Sequence, residues 1–161
     1  MLLIRNAINK ARYKRLIEYA FTKCDMFTLR VPTHILEEEN EFRESIFKRL
    51  KIIEPYLVKK YIDDEYFGDR GGDYEIHVVS FNQELVEFLV STEGLYNWEY
   101  PKGMPEDLCF IADGCCWLKS IAHEEICRIY TQSDTEKVIL KRDIGLKFVE
   151  WLDVDIPIIQ L

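Results

Sequence analysis

The stretch "DLCFIADGCCWLKSIAHEEIC", residues 107–127, decides the fold, because it holds two apolar runs on either side of Asp113 and Gly114. An Asp-Gly pair between apolar runs is typical of a two-residue turn whose twist matches two paired antiparallel strands. The turn predicts four facing pairs along the hairpin: Ala112 with Cys115, Ile111 with Cys116, Phe110 with Trp117, and Cys109 with Leu118. A third strand at about 126–131 extends this hairpin into a meander.

The rest of the chain supplies helices and further strands around that meander. Hydrophobic periodicity predicts helices over about 4–24, 37–54, 82–91 and 133–145, where Ser133 and Glu136 form a capping box. Strands are predicted at 26–31 and 74–81, and the segment 61–73 is predicted to be a loop. Residues 146–151 form either a last strand or one more helical turn, and the pattern favours the strand. The pattern indicates an α+β fold, residues 1–161 as a single domain, with a mostly antiparallel or mixed sheet and helices packed mainly on one face.

The composition is that of a globular protein, with 48% hydrophobic and 31% charged residues and a net charge of −8. That charge excludes a general nucleic-acid binder, because phosphate neutralisation needs clustered Lys and Arg. No run of residues is long and apolar enough for a membrane span or a secretion signal, so we expect a cytoplasmic protein with reduced thiols and no membrane contact.

The first 23 residues are basic, with six Lys and Arg against Glu18 alone. A basic helix of this kind either binds an acidic partner or packs on its own domain and bonds to the carboxylates there. The apolar stripe from Tyr13 to Cys24 predicts docking on the domain.

Four of the five cysteines lie in the quoted stretch, which raises the question of a metal or thiol centre. Cys115 and Cys116 point to opposite faces of a strand, and the C-x2-C spacing of structural zinc sites is absent. A nucleophilic thiol needs an electropositive surrounding, whereas these thiols stand among Ile, Phe, Trp and Leu. We therefore predict buried, free cysteines, no metal and no cofactor.

An acidic, glycine-bearing segment is the other candidate for ion binding: Asp63, Asp64, Glu65, Asp69 and Asp73. Its spacing does not match a calcium-binding loop, and "GDRGGD" lacks the Lys-Ser/Thr of a phosphate loop. The alternatives are a divalent-cation site and a solvated acidic loop, and the spacing favours the loop.

An aromatic segment, Tyr96, Trp98 and Tyr100, is followed by Pro101 and Pro105. If the segment is extended, alternation places the three rings on one side, where they form a binding surface for a partner. The alternative is that the rings cap the core beside Trp117.

Across residues 95–126 the sequence resembles small cytosolic proteins of Gram-positive spore-forming bacteria, some of them labelled stage III sporulation proteins. The shared pattern runs Tyr-x-Trp-x-Tyr-Pro, Pro-Glu-Asp-Leu and Trp-Leu-x-x-Ile-x-His-Glu, and the matching residues here are Tyr96, Trp98, Tyr100, Pro101, Pro105, Glu106, Asp107, Leu108, Trp117, Leu118, Ile121, His123 and Glu124. The resemblance implies no established activity, but it directs attention to the aromatic segment and to the His-Glu turn.

Three functions stay open from the sequence. The leading hypothesis is a non-enzymatic protein-binding protein, of an accessory or immunity type, whose acidic body masks a basic partner. The second is a small hydrolase or transferase that uses His123 with Glu124 or Glu106. The third is a small-ligand carrier with an aromatic pocket formed by Trp98, Trp117 and Tyr130.

Overall fold

The computed structural model describes residues 1–5, 7–37, 40–63, 74–152 and 154–158. In these ranges the chain forms one antiparallel sheet of eight strands and five α-helices, the α+β fold that the sequence predicts. The strands are β1 (Leu2–Ile4), β2 (Met26–Pro32), β3 (Leu57–Asp63), β4 (Tyr74–Ser80), β5 (Glu106–Ala112), β6 (Cys115–Ile121), β7 (Ile126–Ile129) and β8 (Val149–Glu150). The helices are α1 (Lys10–Lys23), α2 (Thr33–Glu37), α3 (Arg43–Ile53), α4 (Gln83–Val90) and α5 (Asp134–Val138), the last continuing as a π-helix over Ile139–Ile144.

The strands lie in the order β3-β4-β2-β5-β6-β7-β1-β8. The predicted meander β5-β6-β7 is confirmed, and every neighbouring pair of strands is antiparallel. Strands β3 and β8 are the two edges of this order, at opposite ends of the sheet.

The register of the β5–β6 hairpin is regular at the turn and shifts beyond it. The observed pairs are Ala112 with Cys115, Ile111 with Cys116, Phe110 with Leu118 and Cys109 with Lys119. The first two pairs confirm the prediction and the last two correct it, because a β-bulge makes Trp117 an extra residue. The bulge lets both Trp117 and Leu118 pack in the helix-side core, which strict alternation forbids.

The predicted first helix is wrong at its start. Residues 2–4 form strand β1, which pairs with β7 and β8, and helix α1 begins at Lys10 after the N-cap Asn9. The helix docks as predicted, with Tyr13, Leu16, Ile17 and Ala20 buried. Its lysines bond to carboxylates of the same chain, Lys10 to Glu93 and Lys23 to Glu136.

Two predictions in the first half of the chain need correction. The predicted helix over 37–54 is the shorter α3, preceded by the separate α2. The predicted loop over 61–73 begins as strand, because β3 reaches Asp63. Of the acidic segment, Asp64, Glu65, Asp69 and Asp73 lie outside the described residues.

The predicted helix caps are confirmed at two sites. The Asn82 side chain accepts a hydrogen bond from the backbone of Glu84 (3.1 Å), and Ser133 Oγ accepts one from the backbone of Glu136 (3.2 Å). Gly145 ends the last helix with φ 83°, in the left-handed region that glycine adopts without strain. The predicted strand over 146–151 is observed as the two-residue β8.

The sheet has two faces that bury different side chains. The helix face carries Phe27, Leu29, Phe110, Trp117 and Leu118, in one apolar cluster with residues from α1, α3, α4 and the π-helix. The second face carries the residues between them, which are Met26, Thr28, Arg30, Cys109, Ile111, Cys116 and Lys119. The described helices therefore pack on one face, as predicted.

The second face is contacted by the C-terminal segment. Val154 packs against its apolar cluster, and the Cys116 N–H donates to the Pro157 carbonyl (2.9 Å).

Among the described residues, no helix has the length and apolar character needed to cross a bilayer.

Candidate functional site

The predicted His-Glu pair lies on the surface, on a single 3₁₀ turn over Ala122–Glu124. The His123 side chain is 61% exposed, and its Nε2 lies 3.9 Å from Glu124 Oε1. At that distance the two groups do not hydrogen-bond directly. His123 and Glu124 are thus accessible, but they do not form an aligned catalytic dyad.

Asp107 connects three separated parts of the sequence pattern. Its N–H donates to the Trp98 carbonyl (3.2 Å), and its Oδ1 accepts from the Ala122 N–H (2.7 Å). Its Oδ2 lies 2.9 Å from Arg30 Nη1, and both side chains are buried. The Tyr-x-Trp, Pro-Glu-Asp-Leu and Ile-x-His-Glu segments are therefore held together by one residue, through the backbone N–H of Asp107 and its carboxylate, which gives the pattern a structural reason.

The surroundings of Asp107 shift the pKa of nearby groups toward neutrality. Burial raises the pKa of Glu106 to about 7, and the adjacent Asp107 adds to the shift, while Arg30 and His123 oppose it. Burial lowers the pKa of Lys119 to about 8. A carboxyl group that titrates near pH 7 can accept or donate a proton under physiological conditions. Neither Glu106 nor His123, however, lines the two cavities of about 250 and 240 Å³ described below.

The aromatic segment belongs to the core, and its predicted extended conformation is wrong. It forms two 3₁₀ turns, Leu95–Asn97 and Tyr100–Lys102, so the rings do not alternate along a strand. Trp98 is 0% exposed, packs edge-on against Phe88 and donates from Nε1 to the Tyr13 hydroxyl (3.0 Å). Tyr96 is buried, and Tyr100 is partly buried. Of the two alternatives, the structure shows the rings capping the core, where Tyr96 and Trp98 are closed to a partner.

The rings of the proposed aromatic pocket do not meet. Trp98 and Trp117 are buried on the helix face, while Tyr130 packs with Cys109 and Cys116 on the second face. Since the sheet separates them, these three residues do not line a common pocket.

The capping-box prediction is wrong for Glu136, whose side chain is buried. It does not return to the Ser133 backbone; instead it accepts hydrogen bonds from Trp117 Nε1 (2.9 Å) and Thr131 Oγ1 and pairs with Lys23 Nζ (2.9 Å). The Ser133 N–H donates to Thr131 Oγ1 (3.1 Å) in its place. Glu136 is satisfied on all sides and acts as a structural link between α1, β6 and α5.

The five cysteines are free thiols, as predicted, and all but Cys115 are buried. Cys109 Sγ and Cys116 Sγ lie 3.5 Å apart on the second face, which confirms that they are neighbours there. The contact with Cys109 and burial raise the pKa of Cys116, so this thiol is a poor nucleophile. No group of three or more His, Cys, Asp or Glu in the described part of the chain is arranged to hold a metal ion.

The C-terminal end exposes a concentration of large apolar side chains, which the predicted strand over 146–151 does not indicate. Five large apolar side chains between positions 149 and 158 are 38% to 80% exposed, and we call them the C-terminal apolar surface: Val149, Trp151, Leu152, Ile156 and Ile158. The segment is held in place at Trp151, whose backbone N–H and carbonyl bond to Met1.

A cavity of about 240 Å³ adjoins the C-terminal apolar surface. Its walls include Leu3, Tyr130, Trp151 and two arginines, Arg5 and Arg128. Sequence reasoning missed this region because exposure depends on which long-range contacts cover a segment, although the run "VEWL" followed by "IPII" offered a hydrophobic signal.

Comparison with known proteins places the chain in no established group: no family model matches it. No curated protein matches it, and no solved structure matches it.

Proposed function

We propose that this protein is a non-enzymatic protein-binding protein of the accessory or immunity type, and that the C-terminal apolar surface is its contact region. The observation that carries the proposal is the concentration of five exposed large apolar side chains within ten positions. Large apolar side chains exposed singly are common on monomeric proteins, whereas a concentration of them marks an interaction site.

The chemistry of this surface suits a protein partner. Trp151 is half-exposed and held by backbone bonds at both its N–H and its carbonyl, so the backbone that presents its ring has little entropy to lose on binding. Strand β8 is the edge of the sheet beyond β1, a position at which a partner strand can add by backbone pairing.

The charge of the chain selects the kind of partner. A net charge of −8 attracts a basic protein over long range and accelerates its encounter, whereas nucleic acid is repelled. The partner we propose is therefore a protein of net positive charge that presents apolar side chains to the C-terminal apolar surface. Five free thiols support a reducing, cytoplasmic setting for the interaction.

The test is capture of the partner from native lysate, followed by titration of the purified partner by calorimetry. We expect Trp151→Ala to weaken binding by about 2 kcal/mol with an unchanged unfolding midpoint, and salt to weaken it further. The matched control is Ile62→Thr, which alters a similarly exposed apolar residue on β3, at the opposite edge of the sheet. Equal affinity for Trp151→Ala and wild type rejects the surface as the contact region.

The second candidate function is a small hydrolase or transferase, favoured by the burial of Glu106, which raises the pKa of its carboxyl to about 7 although His123 opposes the shift. It predicts that the protein releases 4-nitrophenol from 4-nitrophenyl acetate, and that Glu106→Gln and His123→Ala each abolish the release. Equal rates in wild type and both variants reject this function.

A further inference from the structure

We infer that the cavity between α3 and strands β3 and β4 is a binding site for a small phenol, a molecule with an aromatic body and one uncharged hydroxyl group. The cavity has a volume of about 250 Å³ and lies at the opposite end of the sheet from the C-terminal apolar surface. It is a separate site, and the inference goes beyond the proposed protein-binding function.

The walls of the cavity fit a small aromatic body. Leu50 and Ile53 of α3 and Leu57 of β3 line it, and Phe47 adds an aromatic ring. At about 30 Å³ per water-sized group, the volume holds about eight non-hydrogen atoms, the size of a methyl-substituted phenol. Apolar walls with a few convergent polar groups are the usual composition of a small-molecule site.

A buried histidine supplies the polar end of the cavity. His77 is 1% exposed and lies on the helix face of β4, directly between Leu29 of β2 and Lys60 of β3. An apolar side chain at this position would fill the same space without burying a polar group. Its Nε2 lies 2.6 Å from Glu75 Oε1, but among the described residues it has no aligned hydrogen-bond partner.

A buried nitrogen whose contact with a carboxylate is poorly directed loses part of its hydrogen-bond energy, so a better-directed partner would stabilise it. A ligand hydroxyl provides one. It can accept a hydrogen bond from the imidazole N–H and donate its single hydrogen to the Glu75 carboxylate.

The charges around the cavity favour an uncharged ligand. Burial lowers the pKa of His77, and Lys60 adds to the effect while Glu75 opposes it, so the imidazole is neutral at physiological pH. Lys60 Nζ and Glu75 Oε1 lie 3.2 Å apart and neutralise each other. Lys51 and Glu54 at the rim have opposite charges as well. A carboxylate or an ammonium ligand would lose its hydration without gaining an unpaired countercharge.

The test follows backbone amide signals of the full-length protein by NMR during titration with 4-methylphenol, toluene and benzoate. We expect saturable shifts at Leu50, Ile53 and Leu57 with 4-methylphenol, about tenfold weaker binding of toluene, which lacks the hydroxyl, and no binding of benzoate. In His77→Leu the affinity for 4-methylphenol falls about tenfold to that of toluene.

The matched control is His123→Leu, the same change at an exposed histidine, which leaves all three titrations unchanged. Should His77→Leu fail to fold, the ranking of the three probes in the wild type still decides the question, and Leu57→Trp, which fills the cavity from its wall, must abolish 4-methylphenol binding. The inference is overturned if no probe gives saturable shifts at these amides, if toluene binds as tightly as 4-methylphenol, or if the shifts map to the cavity beside Trp151 instead.

Discussion

The two faces of the sheet differ in how many charged side chains they bury. The helix face is apolar, and its buried carboxylate Glu136 is surrounded by donors from Trp117, Thr131 and Lys23. The second face places Arg30, Asp107 and Lys119 at 3% exposure or less, beside the thiols of its small apolar cluster.

Because of this difference, the two faces stabilise the fold through different interactions. Burial of apolar area stabilises the helix face by about 25 cal/mol per Å² at any pH near neutral. Each buried charge loses several kcal/mol of hydration free energy. The attraction between two buried charges offsets this loss only when both are ionised and well aligned. The helix face should therefore dominate stability, and the contribution of the second face should depend on pairing and pH.

The largest effect is expected from Trp98→Ala on the helix face. Removing a fully buried indole leaves a cavity and deprives the Tyr13 hydroxyl of its donor, for a loss of about 3–5 kcal/mol of unfolding free energy. Urea denaturation measures it. Trp151→Ala, the exposed counterpart, should change stability by less than about 0.5 kcal/mol. A loss below about 1 kcal/mol in Trp98→Ala would contradict the core position of the ring.

Asp107→Asn should have the next largest effect, about 3 kcal/mol, because it leaves the Arg30 guanidinium buried beside an uncharged partner. Asn also tolerates the φ of 45° at this position, so backbone strain does not confuse the result. In the double variant with Arg30→Met, the loss should be at least about 1 kcal/mol smaller than the sum of the two single losses. Additive losses would show that the ion pair does not hold the two segments together.

The features predictable from sequence are those fixed by neighbours along the chain. The Asp113-Gly114 turn and the caps at Asn82 and Ser133 rest on bonds that span two or three residues, so their residue types identify them. The apolar docking stripe of α1 is equally local, since its period is that of the helix itself.

The features missed are those decided by distant contacts. Strand β1 has three residues and becomes a strand only because β7, more than 120 positions away, lies beside it. The bulge at Trp117 arises because the helix-side core accepts two consecutive side chains, and Glu136 leaves its capping role for Trp117 and Lys23.

The candidate sites were missed for the same reason. His77 stands in an ordinary strand pattern, "YEIHVVSF", and only the packing of α3 shows that a cavity reaches it. The sequence shows the Tyr96 and Trp98 rings as a cluster, but whether they face solvent depends on α1 and α4, which the local sequence does not specify.

Glu106→Gln tests the pH dependence of the second face. The folded pKa of about 7 lies above the ordinary 4.5, so folding favours the protonated acid: below pH 4.5 there is no cost, and the cost grows as pH rises toward 7. The variant should be more stable than wild type by about 2–3 kcal/mol at pH 8 and equal to it near pH 4. Urea denaturation at both pH values measures the difference.

The control is Glu124→Gln, on the exposed turn, whose stability should stay within about 0.5 kcal/mol of wild type at both pH values. A gain for Glu106→Gln that is the same at pH 4 and pH 8 would contradict the assignment.

The smallest effect is expected at the thiols, where the second face is least polar. Cys116 is fully buried among Cys109, Ile111 and Tyr130, and a serine hydroxyl there would exchange a weak S–H contact for an oxygen with poor partners. Cys116→Ser should therefore cost about 1–3 kcal/mol of unfolding free energy.

Cys115 provides the internal control for that loss, because it is the neighbouring residue in the same strand and is only half-buried. Cys115→Ser should cost less than about 0.5 kcal/mol, since water can solvate the new hydroxyl. In the wild type, a thiol reagent should modify Cys115 first and Cys116 only on unfolding, because burial and the contact with Cys109 hold Cys116 as a protonated thiol. If the two serine variants unfold at the same urea concentration, or the two thiols react at the same rate, the second face does not close over Cys116, and its buried charges would then be solvated as well.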